Sequence, residues 1–195
     1  MLISVEGVDG AGKTTLVAGL AAALEDRGPV VVLREPGGAA VSERIRDVLA
    51  DPALQIDPRA EALLYAAARA QLVAEQLRPL LADGTTVILD RFVDSSLAYQ
   101  GAARGLGVDA IRALNEFGTG GLRPDRTLLL RVDPALARER IAGRAADRLE
   151  REDGAFFAAI ADAYDALAAA EPDRIAVIDG AQSPDAVLAD ALAAL

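Results

Sequence analysis

The chain has 195 residues, which is enough for one domain with a substantial core. Hydrophobic residues make up 52% of it and charged residues 26%, so the composition excludes a disordered chain. The net charge of −10 argues against a broad binding surface for nucleic acid or for an anionic membrane. Because the sequence contains no cysteine and no histidine, it excludes disulfides, thiolate and imidazole catalysis, and the usual zinc sites.

The spacing of apolar residues predicts alternating strands and helices along the whole chain. Five short apolar runs are predicted strands, at residues 2–6, 30–33, 87–89, 127–132 and 175–178. Predicted helices cover residues 13–27, about 41–50, 58–81, 95–117 with breaks at 105 and 107, 134–142, a segment ending near 170, and a segment after 184. This order predicts one α/β domain over residues 1–195, with a parallel sheet in a three-layer arrangement and no internal linker.

Two of these elements carry more detailed expectations. The run at residues 30–33 is continuously apolar, as in parallel strands that are buried on both faces. The helix at 58–81 has an apolar stripe that could pack in the core or at a subunit interface. That stripe consists of Leu63, Ala66, Ala70, Val73, Leu77 and Leu80.

The start of the chain runs directly into the first predicted strand, without the basic and apolar parts of a signal peptide. No apolar run reaches the roughly 18 residues that span a bilayer. We therefore expect a cytoplasmic protein that does not bind a membrane.

A glycine-rich segment follows the first predicted strand and precedes a helix. Residues 7–14, GVDGAGKT, match the pattern G-x-x-x-x-G-K-[ST] in full. In that pattern backbone N–H groups surround phosphate oxygens, the lysine reaches the β and γ phosphates, and the hydroxyl binds Mg²⁺. The predicted ATP-binding residues here are Gly7, Val8, Asp9, Gly10, Ala11, Gly12, Lys13, Thr14 and Thr15. Lys13 is also the only lysine in the sequence.

Further motifs follow in a fixed order. They are GVDGAGKTT at 7–15, REPGG at 34–38, YAAAR at 65–69, DRFVDSSLAYQG at 90–101 and DRLE at 147–150. In these motifs the chain resembles the thymidylate kinase family in its bacterial form. The resemblance implies a P-loop nucleoside monophosphate kinase-like fold, with a five-stranded parallel sheet and helices on both faces. It also implies Mg²⁺-dependent transfer of the ATP γ-phosphoryl group to dTMP, giving dTDP and ADP in dTTP biosynthesis, and it implies a homodimer.

The same resemblance assigns residues to the acceptor nucleotide. Tyr65 stacks on the base, Arg69 donates to its carbonyl edge, Ser96 meets its N3 edge, and Tyr99 lies against C2′. The full set of predicted dTMP-binding residues is Asp9, Pro36, Arg46, Tyr65, Arg69, Arg91, Ser96, Tyr99, Gln100 and Glu150. Arg34 could be a ligand or could form an ion pair that stabilises its loop.

The predicted metal residues are Thr14 and Asp90. The resemblance also implies that the loop of Ala181 and Gln182 holds the adenine. Arginines at 140, 144, 148 and 151 lie in a lid predicted at about 143–151, where they could also form a solvated stripe paired with nearby acids. The phosphate loop itself contains no arginine, so an arginine from elsewhere must neutralise the transferred group. The predicted catalytic residues are Lys13, Arg91, Arg144, Arg148 and Asp9.

Two other functions remain open from the residues. One is a nucleotide or deoxynucleoside kinase of the same fold that acts on another acceptor. The other is a nucleotide switch that binds ATP without transferring phosphate.

Overall fold

In the computed structural model, residues 1–143, 148–149 and 151–195 are described. Within them, five strands form one parallel sheet in the order β2-β3-β1-β4-β5. The strands are β1 (Leu2–Glu6), β2 (Val30–Arg34), β3 (Thr86–Asp90), β4 (Arg126–Arg131) and β5 (Ile175–Asp179). This confirms the five-stranded parallel sheet and places β1 at its centre, so the loop that follows β1 leaves the sheet between its two neighbours.

Helices lie between the strands and after the last one. They are α1 (Lys13–Leu24), α2 (Ala40–Ala50), α3 (Pro58–Leu72), α4 (Arg78–Ala82), α5 (Val93–Ser96), α6 (Val108–Thr119), α7 (Pro134–Ile141), α8 (Gly154–Ala170) and α9 (Pro184–Ala193). A short 3₁₀ turn at Glu25–Arg27 extends α1, and a π-helical segment at Leu97–Ala103 extends α5. No helix among the described residues is both long and apolar enough to cross a bilayer.

The two faces of the sheet are covered by two apolar clusters, which makes three layers. In β1, Leu2 belongs to the smaller cluster, whereas Ile3 and Val5 belong to the larger one. In β3, Val87 and Ile88 divide between the clusters in the same way. This alternation is the two-residue period of a strand that is buried on both faces.

The predicted burial of residues 30–33 on both faces is wrong. β2 is an edge strand that pairs only with β3 within the described sheet, and the side chain of Val32 is 45% exposed. An apolar run identifies a parallel strand, but it does not show whether the strand has one neighbour or two.

The long helix predicted at 58–81 is one continuous rod, formed by α3, a π turn at Val73–Leu77, and α4. In the π turn the Arg78 N–H donates to Val73 O, five residues back. Pro79 follows directly and has no N–H to donate, so the wider turn lets the helix continue past it.

The predicted apolar stripe of this helix is wrong at its first position. Leu63 is 57% exposed, whereas Ala62 and Ala66 are buried. Beyond them Leu72 is fully buried, although the stripe omits it. The buried face of α3 is therefore rotated from the predicted one, and it carries Arg69 into the interior.

Candidate active site

The loop after β1 wraps its backbone around the Lys13 side chain. Gly7, Gly10 and Gly12 have φ of 136°, 84° and 101°, which glycine adopts readily. A Cβ at Gly10 would collide with the backbone of Ala137, so this position requires glycine for space as well as for conformation. Lys13 Nζ donates to Gly7 O at 3.1 Å, and α1 begins at Lys13, so its N-terminus faces the loop.

The Lys13 ammonium is buried among groups of both charges. It donates to Val8 O at 3.0 Å and lies 3.6 Å from Asp9 Oδ1. Burial lowers the pKa of Lys13 to about 8, and the nearby cation of Arg91 acts in the same direction. The acids around it offset only part of this shift. Anionic phosphate oxygens would favour the charged form.

A cavity of about 730 Å³ extends from this loop to α3 and the start of the π segment. It is large enough for small-molecule ligands. Most of the predicted site residues line it. They come from the phosphate loop and the start of α1, the loop after β2, helices α2, α3 and α5, the end of β3, and the π segment after α5. They are Asp9, Gly10, Gly12, Lys13, Thr14, Thr15, Pro36, Arg46, Tyr65, Arg69, Asp90, Arg91, Ser96, Tyr99 and Gln100.

Arg91 lies where the two ends of the cavity meet. Its Nη2 donates to Asp9 Oδ1 at 2.7 Å and its Nη1 donates to Ser95 Oγ at 3.1 Å. Its guanidinium lies 5.2 Å from the centre of the Tyr99 ring, a cation–π distance. The planar group thus faces the phosphate loop on one side and the remainder of the cavity on the other.

Two predicted metal residues, Thr14 and Asp90, lie on the wall beside Lys13. Asp90 Oδ1 is buried and has no hydrogen-bond partner among the described residues, so it can accept a bond from a water of a hydrated cation. No cluster of three acidic ligands occurs in the described part of the chain. The donor set therefore suits a cation that takes its other ligands from water and phosphate, as Mg²⁺ does.

The end of the cavity away from the phosphate loop is formed by Tyr65, Arg69, Ser96, Tyr99 and Gln100, which we call the distal wall. Arg69 is 2% exposed and makes four hydrogen bonds and an ion pair. Its partners are Glu35 with the nearest contact at 2.6 Å, Ser96 Oγ at 2.9 Å, Asn115 Oδ1, and Phe92 O at 3.0 Å. A carbonyl on a bound base must therefore share an N–H of Arg69 with one of these partners.

Glu35 is the acid that balances Arg69, and it is also buried. Burial raises the pKa of Glu35 to about 7, although the ion pair with Arg69 opposes the shift. Its second oxygen, Oε1, has no hydrogen-bond partner among the described residues. This carboxyl therefore exchanges a proton near neutral pH.

The loop after β2 is held by two arginines. Arg46 Nη1 donates to Pro36 O at 3.0 Å. Arg34 donates to the same oxygen at 3.1 Å and pairs with Glu43 at 3.0 Å. Of the two alternatives for Arg34, the structure places it in the loop-stabilising ion pair, although it also lines the cavity.

The arginines around the predicted lid reach different targets. Arg140 Nη1 donates to Gly180 O at 2.9 Å and to Gly10 O at 3.4 Å, so it connects the phosphate loop to the loop after β5. Arg148 pairs instead with the buried Glu61 at 2.7 Å and donates to Leu49 O at 3.0 Å. Arg144 and Glu150 lie outside the described residues.

The remaining predicted ATP-binding residues are near the cavity but are not part of its lining. Gly7, Val8 and Ala11 are buried parts of the phosphate loop itself. A Cβ at Gly180 would lie 3.1 Å from Ala11 O, so the loop after β5 lies beside them. In that loop Ala181 N donates to Asp179, and Gln182 donates to Asp190 at 2.8 Å.

The chain is similar to known proteins over nearly its whole length. A family model described as "Thymidylate kinase" matches residues 5–191. A thymidylate kinase of Deinococcus radiodurans is 48% identical, over 100% of this chain and 96% of its own length. One of Bifidobacterium longum is 51% identical, over 97% and 94%.

A solved structure is similar over nearly the whole fold. It is the crystal structure of thymidylate kinase from Ehrlichia chaffeensis, with a TM-score of 0.83 and 30% identity, and the match covers 99% of this chain and 96% of that one. The chain belongs to the thymidylate kinase family. Its five-stranded parallel sheet with helices on both faces is therefore the nucleoside monophosphate kinase-like fold predicted from the sequence.

Four residues are prominent in the structure, but the sequence assigned no role to them. Glu35, Asn115 and Glu61 bind the charged or polar groups of the distal wall and of Arg148, and Glu6 lies beneath Arg91. Burial and the nearby Asp94 raise the pKa of Glu6. Glu35 belongs to the quoted REPGG motif and therefore carried a usable signal. Glu61 carried none, because the buried face of α3 differs from the predicted one, and Asn115 carried none either.

Proposed function

We propose a division of roles within the cavity for the reaction of this family. The chain is an ATP-dependent dTMP kinase: it transfers the γ-phosphoryl group of ATP to dTMP and gives dTDP and ADP, in dTTP biosynthesis. The observation that supports this division is the continuity of one cavity between the phosphate loop and the distal wall, with Arg91 between them. Two nucleotides bound at the two ends would bring their phosphates together at Arg91.

At the donor end, the phosphate loop holds ATP. Backbone N–H groups of residues 7–15 surround the phosphates, and Lys13 neutralises the β and γ oxygens. Thr14 and Asp90 would hold Mg²⁺, which shields phosphate charge when it is bound. The loop of Ala181 and Gln182 lies against the adenine, mainly through its backbone.

At the acceptor end, the distal wall holds dTMP. Tyr65 stacks on the base and Tyr99 lies against C2′ of the sugar, where a ribose hydroxyl would collide. Ser96 accepts one bond from Arg69, so its hydroxyl retains capacity for the N3 edge of the base. The other proposed contacts to dTMP come from Asp9, Pro36, Arg46, Gln100 and Glu150.

Transfer itself requires no general base. The attacking oxygen belongs to the dTMP phosphate and is already anionic, so catalysis consists of positioning and charge neutralisation. Lys13 and Arg91 neutralise the transferred group, and Asp9 orients Arg91 through the 2.7 Å bond. A lid arginine adds to them. Because Arg148 forms an ion pair with Glu61, we assign the contact with the transferred group to Arg144. Arg148 then attaches the lid end to α3.

We also propose that the protein is a cytoplasmic homodimer. Three apolar side chains on the neighbouring helices α2 and α3 are exposed: Val41, Val48 and Leu63 are 50%, 42% and 57% exposed. A second copy would cover them. Replacing Leu63 by Asp should shift the mass measured by light scattering from a dimer to a monomer, and an unchanged mass would exclude this face.

A coupled assay for ADP, run across dTMP, dUMP, dCMP, dGMP and thymidine, tests the acceptor assignment. We expect the highest kcat/KM for dTMP. Phosphorylation of thymidine without activity on dTMP would assign the chain to the nucleoside kinases. Binding of ATP with no ADP formed for any acceptor, and no change on replacing Arg91, would instead favour a nucleotide switch.

A further inference from the structure

We propose that Glu6 is a positioning residue for phosphoryl transfer, because it fixes both the backbone and the guanidinium of Arg91. Glu6 is the last residue of β1 and is completely buried beneath the end of β3. It does not line the cavity. This inference rests on the proposed function, in which Arg91 contacts the transferred group.

The backbone of Arg91 is in an unfavourable conformation. Its φ of 72° makes it the only non-glycine residue with positive φ in the described part of the chain. For such a residue the left-handed region is energetically unfavourable, so surrounding contacts must hold it. Two hydrogen bonds do so: Arg91 N donates to Val5 O at 3.0 Å, and Phe92 N donates to Glu6 Oε1 at 2.7 Å.

The Ser95 hydroxyl also connects the side chain of Arg91 to the Glu6 carboxylate. Ser95 Oγ donates to Glu6 Oε2 at 2.6 Å and accepts a hydrogen bond from Arg91 Nη1 at 3.1 Å. The opposite edge of the guanidinium donates to Asp9, which lies 3.6 Å from Lys13 Nζ. A line of alternating charges therefore runs from the buried end of β1 to the phosphate loop.

The hydrogen bonds around Glu6 match its ionised form, although burial and the nearby Asp94 raise the pKa of this carboxyl. The carboxylate accepts from Ser4 Oγ at 2.9 Å, from Tyr164 Oη at 3.0 Å, and from the donors of Phe92 and Ser95. A carboxylate offers about four acceptor positions, so these four donors match it. A glutamine would keep the size of the side chain, but its amide NH₂ would face one of those donors. The substitution would also remove the negative charge that orients Ser95.

The test compares Glu6→Gln in two backgrounds, the natural chain and Arg91→Met. If Glu6 acts through Arg91, Glu6→Gln lowers kcat by about 30-fold in the natural chain, with KM for ATP and dTMP within about threefold, because a small displacement of a catalytic group has this scale of effect. In the Arg91→Met background the same change has no further effect on kcat. A merely structural role would lower activity by the same factor in both backgrounds and would overturn the proposal.

Asp94→Asn is the matched control. Asp94 is another buried acid, on α5 next to Ser95, and it pairs with Arg174 at 2.7 Å and 2.8 Å. Its replacement should lower the Tm while leaving kcat per folded molecule unchanged. Equal losses of kcat in Asp94→Asn and Glu6→Gln would overturn the proposal as well.

Ser95→Ala provides the test if Glu6→Gln does not fold. It removes the hydroxyl between Glu6 and Arg91, so kcat should fall by about tenfold, again with no further effect in the Arg91→Met background. The wild-type protein separates the two levels of the argument. If it forms no dTDP, or if Arg91→Met has normal turnover, the proposed function fails. If both behave as expected but Glu6→Gln and Ser95→Ala keep the natural kcat, only the role of Glu6 fails.

Discussion

The phosphate loop and the distal wall hold their charged side chains by different means. Lys13 is fixed by carbonyl groups five and six residues away in the same loop, at Val8 and Gly7. Arg69 is fixed by side chains from three distant segments, the loop after β2, helix α5 and helix α6. A cation held by its own loop needs only that loop to fold, whereas a cation held across the domain depends on how several elements pack.

The largest expected effect is at the phosphate loop. Lys13→Arg should reduce kcat by about a thousandfold, because a broad guanidinium cannot occupy the position of a compact ammonium between the loop carbonyls. The loop itself should survive, so the Tm and circular dichroism spectrum should stay close to those of the natural chain. Arg27→Lys, at an exposed position, is the control and should have normal turnover. Natural turnover in Lys13→Arg would contradict the role of this lysine.

Changes in the distal wall should differ from those in the phosphate loop, because they should reduce stability as well as substrate binding. Arg69→Met leaves the buried carboxyl of Glu35 without its cation, which should lower the free energy of unfolding by about 3 kcal/mol in a urea titration at pH 7.5. KM for dTMP should rise as well. Removing the exposed cation of the Arg131–Asp165 pair with Arg131→Met is the control, and it should change stability by less than about 1 kcal/mol. If both variants have the same urea midpoint of unfolding as the natural chain, the distal wall is not held by this ion pair.

Because the pKa values of Glu35 and Lys13 shift in opposite directions, the two regions should contribute differently to the pH dependence of stability. The pKa of Glu35 is about 7 in the folded protein, above its ordinary 4.5, so the folded state keeps a proton that the unfolded state has lost. The Glu35 contribution to stability is therefore largest below about pH 4.5 and is lost as the pH rises through 7. Between pH 5 and pH 7 the loss should be about 2 kcal/mol by urea titration.

Glu35→Gln should flatten the dependence of stability on pH between pH 5 and pH 7. An unchanged slope would assign this dependence to other groups.

The stability contribution of Lys13 should change with pH in the opposite direction and in a different range. Its pKa is lowered from 10.5 to about 8, so the folded state binds fewer protons than the unfolded state between these values. Stability should rise with pH over that interval.

The smallest expected effect concerns Arg148, which joins the lid end to the distal wall. Its partner Glu61 also accepts a hydrogen bond from Gln100 at 2.9 Å, so Arg148→Met should loosen the wall and raise KM for dTMP by about tenfold, with kcat within threefold. Arg104 pairs with Glu61 at 3.2 Å and with Glu152 at 2.7 Å. Glu152→Gln, which removes only the second of these ion pairs, is the control and should have less effect on KM. A hundredfold loss of kcat would instead place Arg148 on the transferred phosphoryl group.

The difference between the two regions also explains what could be predicted from the sequence. The phosphate loop is contiguous and follows a strand, so the loop could be predicted from the residue types and spacing at 7–15. The partners of Arg69 are 34, 27 and 46 residues away, and local periodicity carries no information on such pairs. For the same reason the exposed edge of β2 and the rotated buried face of α3 could not be predicted, since both depend on which neighbours are present.

The burial of Lys13 has a consequence for covalent chemistry. It is the only lysine of the sequence, and its pKa of about 8 leaves an appreciable neutral, nucleophilic fraction near physiological pH. A small amine-selective reagent therefore has one side-chain target in the whole molecule, at the bottom of the phosphate loop. Protection of that single amine by ATP would report occupancy of the loop without any measurement of turnover.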